Sequence, residues 1–287
     1  MDNDDIPVGR VLNRREALRL FAVTGSAAMF GMRAFRVRGP APQFEVPGCV
    51  VKPELTEGPY FVDHQLNRPD IRGEAGNAAV KAGLPLSLAF NVAQIANGAC
   101  KPLAGALVDV WHCDADGVYS GVNDGMSGNN TMGKHFCRGY QTTDANGLAK
   151  FTTIYPGWYQ GRTVHIHFKI RTAASGVNAA GAPQSYEFTS QLFFDDALSD
   201  RVFAKAPYAA KGKRELRNAD DGIYRESGGQ LLLSPSTSAG GYAATFGIGL
   251  DLSDAKAGAP DGGRAGGPRG GRPGGPPPPR RGGPFGG

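Results

Sequence analysis

Seven stretches of the chain alternate between apolar and polar residues, or run apolar throughout, in the way that β-strands do. They are rich in β-branched and aromatic residues, and Gly, Asn, Asp and Pro separate them. They cover residues 84–95, 103–114, 147–155, 164–172, 187–196, 229–234 and 242–252. Only residues 197–206 have a helical pattern. Many strands without long intervening helices predict an all-β fold, an antiparallel β-sandwich with long loops.

The two ends of the chain differ in composition from the middle. Residues 255–287 consist almost wholly of Gly, Pro and Arg. Such a segment cannot bury enough apolar surface to offset its ordering entropy, so we expect a disordered tail. Residues 1–40 form a separate N-terminal segment. The pattern therefore predicts one sandwich domain over residues 41–254.

The basic charge of the chain belongs to these ends. The formal net charge is +5, and residues 255–287 alone hold five arginines and one lysine against one aspartate. Residues 1–40 add seven arginines against four acidic residues. The middle is therefore slightly acidic, and we expect no nucleic-acid partner for the domain.

A pair of arginines at positions 14 and 15 precedes a modestly apolar stretch over residues 17–32. This arrangement resembles a twin-arginine export signal, which predicts a periplasmic or extracellular protein. The stretch is too short and too polar to span a bilayer stably. A short amphipathic helix with a chance Arg–Arg pair is the alternative.

Four cysteines, Cys49, Cys100, Cys113 and Cys137, allow three disulfide pairings. Disulfides are permitted in an exported protein. Cys113 and Cys137 flank one loop and are the expected pair, and a bond from Cys49 to Cys100 would tie the leading segment to the domain. None of the spacings is C-x-x-C, which argues against a thiolate zinc site.

Two histidines, His165 and His167, occupy alternate positions of a predicted strand. Both side chains therefore project to one face, from which they can reach a single ion. Two partly buried histidines satisfied by their neighbours would give the same spacing. The motif "PGWY" lies just upstream, and its Pro-Gly pair predicts a turn that brings Tyr159 back over the histidine strand.

A second tyrosine, Tyr119, follows the loop "DADG" after a strand that ends near Trp111. It can alternatively be a rim tyrosine that packs on the sandwich. Two phenolates and two imidazoles form a hard, anionic set of ligands that suits Fe³⁺ better than zinc. A bound ferric ion would also lower the phenol pKa enough for ligation. The residue types therefore favour a ferric ion.

The motifs around these residues, "VWHCDADGVYS", "YPGWYQGRTVHIHF" and "SQLFFDD", resemble those of the intradiol ring-cleavage dioxygenases, the family of protocatechuate 3,4-dioxygenase and catechol 1,2-dioxygenase. "LTEGPYFVD" and "RPDIR" are similar to the family's leading segment. The resemblance covers roughly residues 47–196 and extends more weakly to about 252. It implies O₂-dependent cleavage of a catechol-type ring between its two hydroxylated carbons, which gives a cis,cis-muconate-type dicarboxylate.

The resemblance also implies roles for single residues. One non-haem Fe³⁺ per chain would be bound by four side chains. Tyr159 and His167 would be its axial ligands, and Tyr119 and His165 the equatorial ones. Solvent hydroxide would complete the coordination.

Two further roles follow from the same resemblance. Arg162 matches the arginine that stabilises the charged ring, and Gln191 matches its glutamine partner at the substrate. A long insertion separates Gln191 from the histidine strand. Tyr60 in "EGPYF" either lines the mouth of the pocket or is a packing aromatic. Arg72 and Arg138 either meet a carboxylate on the substrate or are surface charges.

The expected partners are a small aromatic diol and O₂, with a homo-oligomer as a further possibility. The competing hypothesis is a non-catalytic exported β-sandwich binding module with an incidental tyrosine-rich face. An H-x-H zinc or copper protein is a third, which leaves both tyrosines unexplained. The complete set of two tyrosines, one arginine and two histidines favours the dioxygenase.

Overall fold

The computed structural model describes residues 50–76, 79–125, 127–172, 176–177, 183–184 and 186–252. The predicted export signal, the Gly/Pro/Arg tail and Cys49 lie outside these residues, as do both predicted domain limits. Within them the chain is mostly β-structure, with few and short helices. The all-β character expected from the hydrophobic pattern is confirmed.

The strands of the described residues are numbered in chain order. They are β1 (Pro85–Ala96), β2 (Ala99–Pro102), β3 (Leu107–Trp111), β4 (Asn123–Asp124), β5 (Asn129–Asn130), β6 (Arg138–Thr142), β7 (Leu148–Ile154), β8 (His165–Arg171), β9 (Gly176–Val177), β10 (Pro183–Gln184), β11 (Glu187–Phe193), β12 (Ser236–Ser238) and β13 (Gly241–Leu250). Helices span Asp196–Phe203 and Gly222–Glu226, and 3₁₀ turns span Tyr208–Lys211 and Asn218–Asp220.

Two sheets face each other across the main apolar core. One has the strand order β12-β13-β1-β2, with β7 also paired to β1, and the other has the order β11-β8-β3-β6. Phe90 of β1 packs on Phe168 of β8, with ring centroids 5.3 Å apart, and Phe168 packs on Phe246 of β13 at 5.4 Å. Alternate side chains of both sheets fill this space, as in other sandwiches.

The pairing is mixed, which corrects the expectation of a fully antiparallel sandwich. β1 runs parallel to β13, with Phe90 opposite Phe246. A parallel pair needs a long crossover, and most of the domain lies between these two strands in sequence. The predicted strand over 229–234 is also wrong. It is a turn with one isolated bridge, Leu232 to Phe193, and it buries Leu231 and Leu233 in the core.

β8 is buried on both faces. Ile166, Phe168 and Ile170 belong to the main apolar core, so by strand alternation His165 and His167 lie on the opposite face. That face is covered by the leading segment, which we define as residues 50–66. The Leu55 N–H donates to the Thr189 carbonyl at 3.0 Å, which seals the edge of β11. The covering segment keeps water from the histidines.

Each helix begins at an aspartate that caps it. Asp195 accepts from the N–H of Leu198, and Asp221 accepts from the N–H of Tyr224. Such caps satisfy N–H groups that have no partner within the helix. In the ranges that the structure describes, no helix has the length and apolar character needed to cross a membrane.

The structure contradicts the predicted bond between Cys113 and Cys137. Both are buried free thiols. They belong to separate apolar clusters, Cys113 with Trp111 and Tyr119, and Cys137 with Phe136 and Ile154. The position of both cysteines beside one loop therefore did not lead to a bond between them. Cys100 is disulfide-bonded, and its predicted partner lies outside the described residues.

Candidate active site

The four predicted ligand side chains meet at one point above the β8 strand. The Nε2 atom of His165 lies 3.3 Å from the Tyr119 hydroxyl, 3.2 Å from the Tyr159 hydroxyl and 3.0 Å from Nε2 of His167. Both histidines and Tyr119 are buried, and Tyr159 is partly buried. Two imidazole nitrogens and two phenol oxygens thus form a compact set of donors.

This crowding fits a bound cation. Nδ1 of His165 lies 2.6 Å from the Thr163 carbonyl, which can only accept, so Nδ1 carries the ring proton. Nε2 is left with a single lone pair, yet three polar atoms surround it. One lone pair can accept only one hydrogen bond. A hard cation placed among the four atoms would satisfy all of them, and nitrogen with phenolate oxygen suits ferric iron.

Burial keeps all four groups neutral until such a cation binds. It raises the pKa of Tyr119 well above its ordinary value, and the neighbouring Tyr159 adds to the shift. The pKa of Tyr159 is also raised by burial, with the charge of Arg162 opposing. Burial, helped by Arg162, lowers the pKa of His165 to about 3, and the pKa of His167 falls well below its ordinary range. The imidazoles are therefore ready to bind a metal, whereas the phenols need a cation to ionise.

Aromatic rings wall the cluster. Trp111 lies opposite His167 in the β3–β8 register and stacks on it, with centroids 5.0 Å apart and planes within 10°. Tyr60 stacks on Tyr119 at 4.3 Å and meets Tyr159 edge-on at 6.2 Å. Tyr60 is therefore a buried neighbour of both phenols, which favours a role in lining the pocket.

The loop that delivers Tyr119 is organised by the buried carboxylate of Asp114. One oxygen of Asp114 accepts from the N–H groups of Asp116 and Val118, each at 3.0 Å, and the other pairs with Lys81 at 2.6 Å. These bonds fold "DADGVY" into a tight turn. Tyr119 follows it directly, so the turn sets where the phenol points.

This turn interlocks with the "PGWY" turn that delivers Tyr159. The Gly157 N–H donates to the Asp114 carbonyl at 3.0 Å. A Cβ at position 157 would lie 2.5 Å from the carbonyl oxygens of Asp114 and Ala115, and one at Gly117 would lie 2.1 Å from the carbonyl oxygen of Trp158. Only glycine permits these two approaches. The two turns thus fix the tyrosines relative to each other.

Arg162 and Gln191 meet beside the cluster. Nη2 of Arg162 donates to Oε1 of Gln191 at 2.7 Å, and Nε2 of Gln191 donates to the Thr56 carbonyl at 2.9 Å. Gln191 pairs directly with His167 in the β8–β11 register. Strand pairing therefore positions Gln191 beside His167 despite the insertion between the two strands.

A family model described as "Dioxygenase" matches residues 56–221, more than half of the chain. The chain belongs to the dioxygenase family. It is 29% identical to the solved structure of an intradiol ring-cleavage dioxygenase from Tetranychus urticae, with a TM-score of 0.58 over 71% of this chain and 95% of that one.

Curated proteins of known activity also match this family member. The chlorocatechol 1,2-dioxygenase of Pseudomonas putida is 27% identical over 179 residues, which cover 56% of this chain and 60% of that protein. The chlorocatechol 1,2-dioxygenase of Pseudomonas sp. strain P51 is 30% identical over 133 residues, which cover 40% of this chain and 48% of that protein. The chain therefore spans less than two thirds of the length of these relatives.

Other candidate residues lie away from the cluster or already make hydrogen bonds to other groups. The buried imidazole of His112 contacts the Cys113 carbonyl and the Thr153 hydroxyl, both at 2.7 Å. Arg138 is buried and donates to the Tyr60 carbonyl and to Ser120, so it is not a surface charge.

Sequence reasoning missed three residues that shape the site: Trp111, Thr163 and Asp221. Trp111 was visible only as the end of a strand. Thr163 acts through its backbone carbonyl, which any residue type provides. Asp221 precedes a short helix, and a capping signal marks it locally, but nothing in the sequence connects it to Arg162, 59 residues earlier.

Proposed function

We propose that this protein is a non-haem Fe³⁺ dioxygenase that cleaves catechol-type rings between their two hydroxylated carbons. One observation carries the proposal: two phenol oxygens and two imidazole nitrogens converge at Nε2 of His165, with Arg162 and Gln191 beside them. A binding module has no need of that combination. The activities of the curated relatives support the same reaction class.

Tyr119, Tyr159, His165 and His167 would hold the ion. Bound there, Fe³⁺ would supply the Lewis acidity and the one-electron chemistry that ring cleavage requires. The Tyr159 oxygen, ionised in the loaded protein, would take up a proton from one hydroxyl of the diol, and solvent hydroxide would take up the other, so no separate general base is needed. Tyr159 is the less buried of the two phenols, which suits a side chain that moves during the reaction.

Arg162 would stabilise negative charge that develops on the ring. Its guanidinium is buried, and a charge in a poorly solvated site acts more strongly than one in water. Gln191 holds the guanidinium from one side, and Trp111 and Tyr60 exclude water from the other faces of the cluster. Both atoms of O₂ enter the product, a cis,cis-muconate-type dicarboxylate.

The substrate is proposed to be a catechol whose ring carries no carboxylate. The buried guanidinium of Arg138 already donates to the Tyr60 carbonyl and to Ser120. Arg72 lies at the surface, paired with Asp70 at 2.7 Å. Neither is available to meet a substrate carboxylate. Catechol should therefore be turned over faster than protocatechuate.

An absorption spectrum with metal analysis tests the proposal. Tyrosinate ligation to ferric iron should give a red protein with about one iron per chain, and catechol added under nitrogen should shift the band to longer wavelength. Tyr159→Phe should lose most turnover and change the colour. Tyr155→Phe is the matched control, because Tyr155 is a buried tyrosine bonded to Ser199 outside the cluster. A protein that stays colourless after ferric reconstitution would instead support the binding module.

We also propose export by the twin-arginine route, on the basis of the arginine pair at 14 and 15 and the apolar stretch after it. Replacing both arginines by lysine should block export of the full chain and leave its activity unchanged. The homo-oligomer stays a prediction, which sedimentation of the purified protein would test.

A further inference from the structure

We propose that Asp221 is a positioning residue that holds Arg162 in its working orientation and, through Thr163, aligns His165. The inference rests on the proposed function. Asp221 lies outside every motif that carries the family resemblance. It is buried, with 2% of its surface exposed, at the start of the helix Gly222–Glu226.

Three N–H donors converge on the Asp221 carboxylate. Oδ2 accepts from Nε of Arg162 at 2.9 Å and from the Thr163 N–H at 2.8 Å, and Oδ1 accepts from the Tyr224 N–H at 2.9 Å. The carboxylate thus joins the residues that precede β8 to a helix that lies far along the chain. The position of Arg162 is therefore set by a residue that lies 59 positions later in the chain.

Asp221 supplies the counter-charge that the buried guanidinium needs. An unpaired buried charge is strongly destabilising, whereas a paired one bonded through further N–H groups is tolerated. The charge of Arg162 and the bonds from Thr163 and Tyr224 lower the pKa of Asp221, against the effect of burial. Two hydrogen bonds therefore hold the Arg162 guanidinium: Nε donates to Asp221 and Nη2 donates to Gln191. In the part of the chain that the structure describes, Nη1 makes no hydrogen bond, so it can donate to the substrate.

The same carboxylate acts on the histidine. By accepting from the Thr163 N–H, it holds one side of Thr163, and the carbonyl on the other side of that residue accepts from Nδ1 of His165 at 2.6 Å. Asn218 adds a second restraint on Thr163 through its side chain, at 2.6 Å. The tautomer that presents the Nε2 lone pair to the cluster thus depends on the carbonyl of a residue that Asp221 and Asn218 restrain.

The test compares two aspartates that both cap helices. Asp221→Asn and Asp221→Ala remove the charge beside Arg162. An asparagine must also turn its NH₂ group toward at least one of the three donors. Asp195→Asn and Asp195→Ala are the matched controls, because Asp195 caps the helix Asp196–Phe203 through the Leu198 N–H and contacts no residue of the cluster.

Three readouts are measured on each variant: iron per chain with the visible band, kcat and KM for catechol, and hydrogen exchange at Nε of Arg162. The exchange is followed by NMR in protein loaded with Ga³⁺, a diamagnetic stand-in for Fe³⁺. For Asp221→Ala we expect the iron content to be retained, kcat to fall about tenfold or more, and Nε exchange to quicken by a similar factor. Asp221→Asn should lie between it and the wild type. Both Asp195 variants should match the wild type in all three.

Two outcomes would overturn the inference. In the first, kcat and the exchange rate in the Asp221 variants equal those in the Asp195 variants. In the second, Asp221→Asn loses iron and colour in step with kcat, which would indicate that Asp221 supports the structure of the whole site. Failure of the proposed function is distinguishable, because it would appear in the wild-type protein as a lack of colour and turnover.

Discussion

Gly157→Ala tests whether the interlocked turns set the distance between the two tyrosines. A Cβ at this position would lie 2.5 Å from two carbonyl oxygens of the Tyr119 turn, where ordinary contact begins at 3.4 Å. Both obstacles are backbone atoms, so the turns must separate by several tenths of an ångström. Overpacking of this kind costs about 1–3 kcal/mol. For a domain of this size each kcal/mol lowers Tm by about 2–4 °C.

We expect Gly157→Ala to lower Tm by roughly 2–12 °C and to reduce iron per chain, because Tyr119 and Tyr159 move apart. Thermal melting, metal analysis and the visible band measure these effects. Gly125→Ala is the matched control, since a Cβ at Gly125 meets nothing within 4 Å and its φ is not positive. If the two variants melt alike and hold the same iron, the interlock does not set the tyrosine geometry.

Three further predictions concern single side chains. Arg162→Lys should lower kcat on the order of a hundredfold and retain the red colour, because one ammonium group cannot reach both Asp221 and Gln191. Oxygen-uptake kinetics measure this effect, and an unchanged kcat would contradict the prediction. Tyr60→Phe should lower the free energy of unfolding in urea by about 0.5–1.5 kcal/mol, since it loses the 3.2 Å bond to Asp124 but keeps the stack on Tyr119. Tyr60→Ala loses the stack as well and should also alter the visible band. Burial lowers the pKa of His112 to about 4, below its ordinary value of about 6.5. At a pH between these two values, His112 is protonated in the unfolded chain and neutral in the folded one. Stability should therefore be lost as pH falls through that window, by up to roughly 1.4 kcal/mol per pH unit. Urea unfolding of His112→Gln should show a shallower pH dependence than the wild type, and equal slopes would refute the assignment.

Several features of the fold followed from the sequence because they depend on local periodicity. A strand has a period of two residues, so His165 and His167 had to share a face and Ile166 and Phe168 the opposite one. The glycine of "PGWY" indicated a turn before the histidine strand, and the structure places Tyr159 beside His165. The residue types alone likewise showed which ligand groups are available to a metal, two phenols and two imidazoles.

Other features depended on which distant elements pack together. No short sequence pattern connects β1 with β13, which pair in parallel, or Arg162 with Asp221, which form an ion pair. Nor did any pattern show that Cys113 and Cys137 stay unbonded to each other. The cost of closing a loop grows only slowly with its length, so the insertion before Gln191 did not prevent its pairing with His167.

The sequence by itself therefore determined the strand content, the face that carries the histidines and the kinds of donor available to a metal. Only the tertiary structure decided how those donors are held: two turns interlocked at Gly157 and Gly117, and a carboxylate from a later helix behind Arg162. The physical reason is that periodicity fixes the direction of a side chain from its neighbours, whereas the distance between two side chains depends on packing between elements that are far apart in sequence.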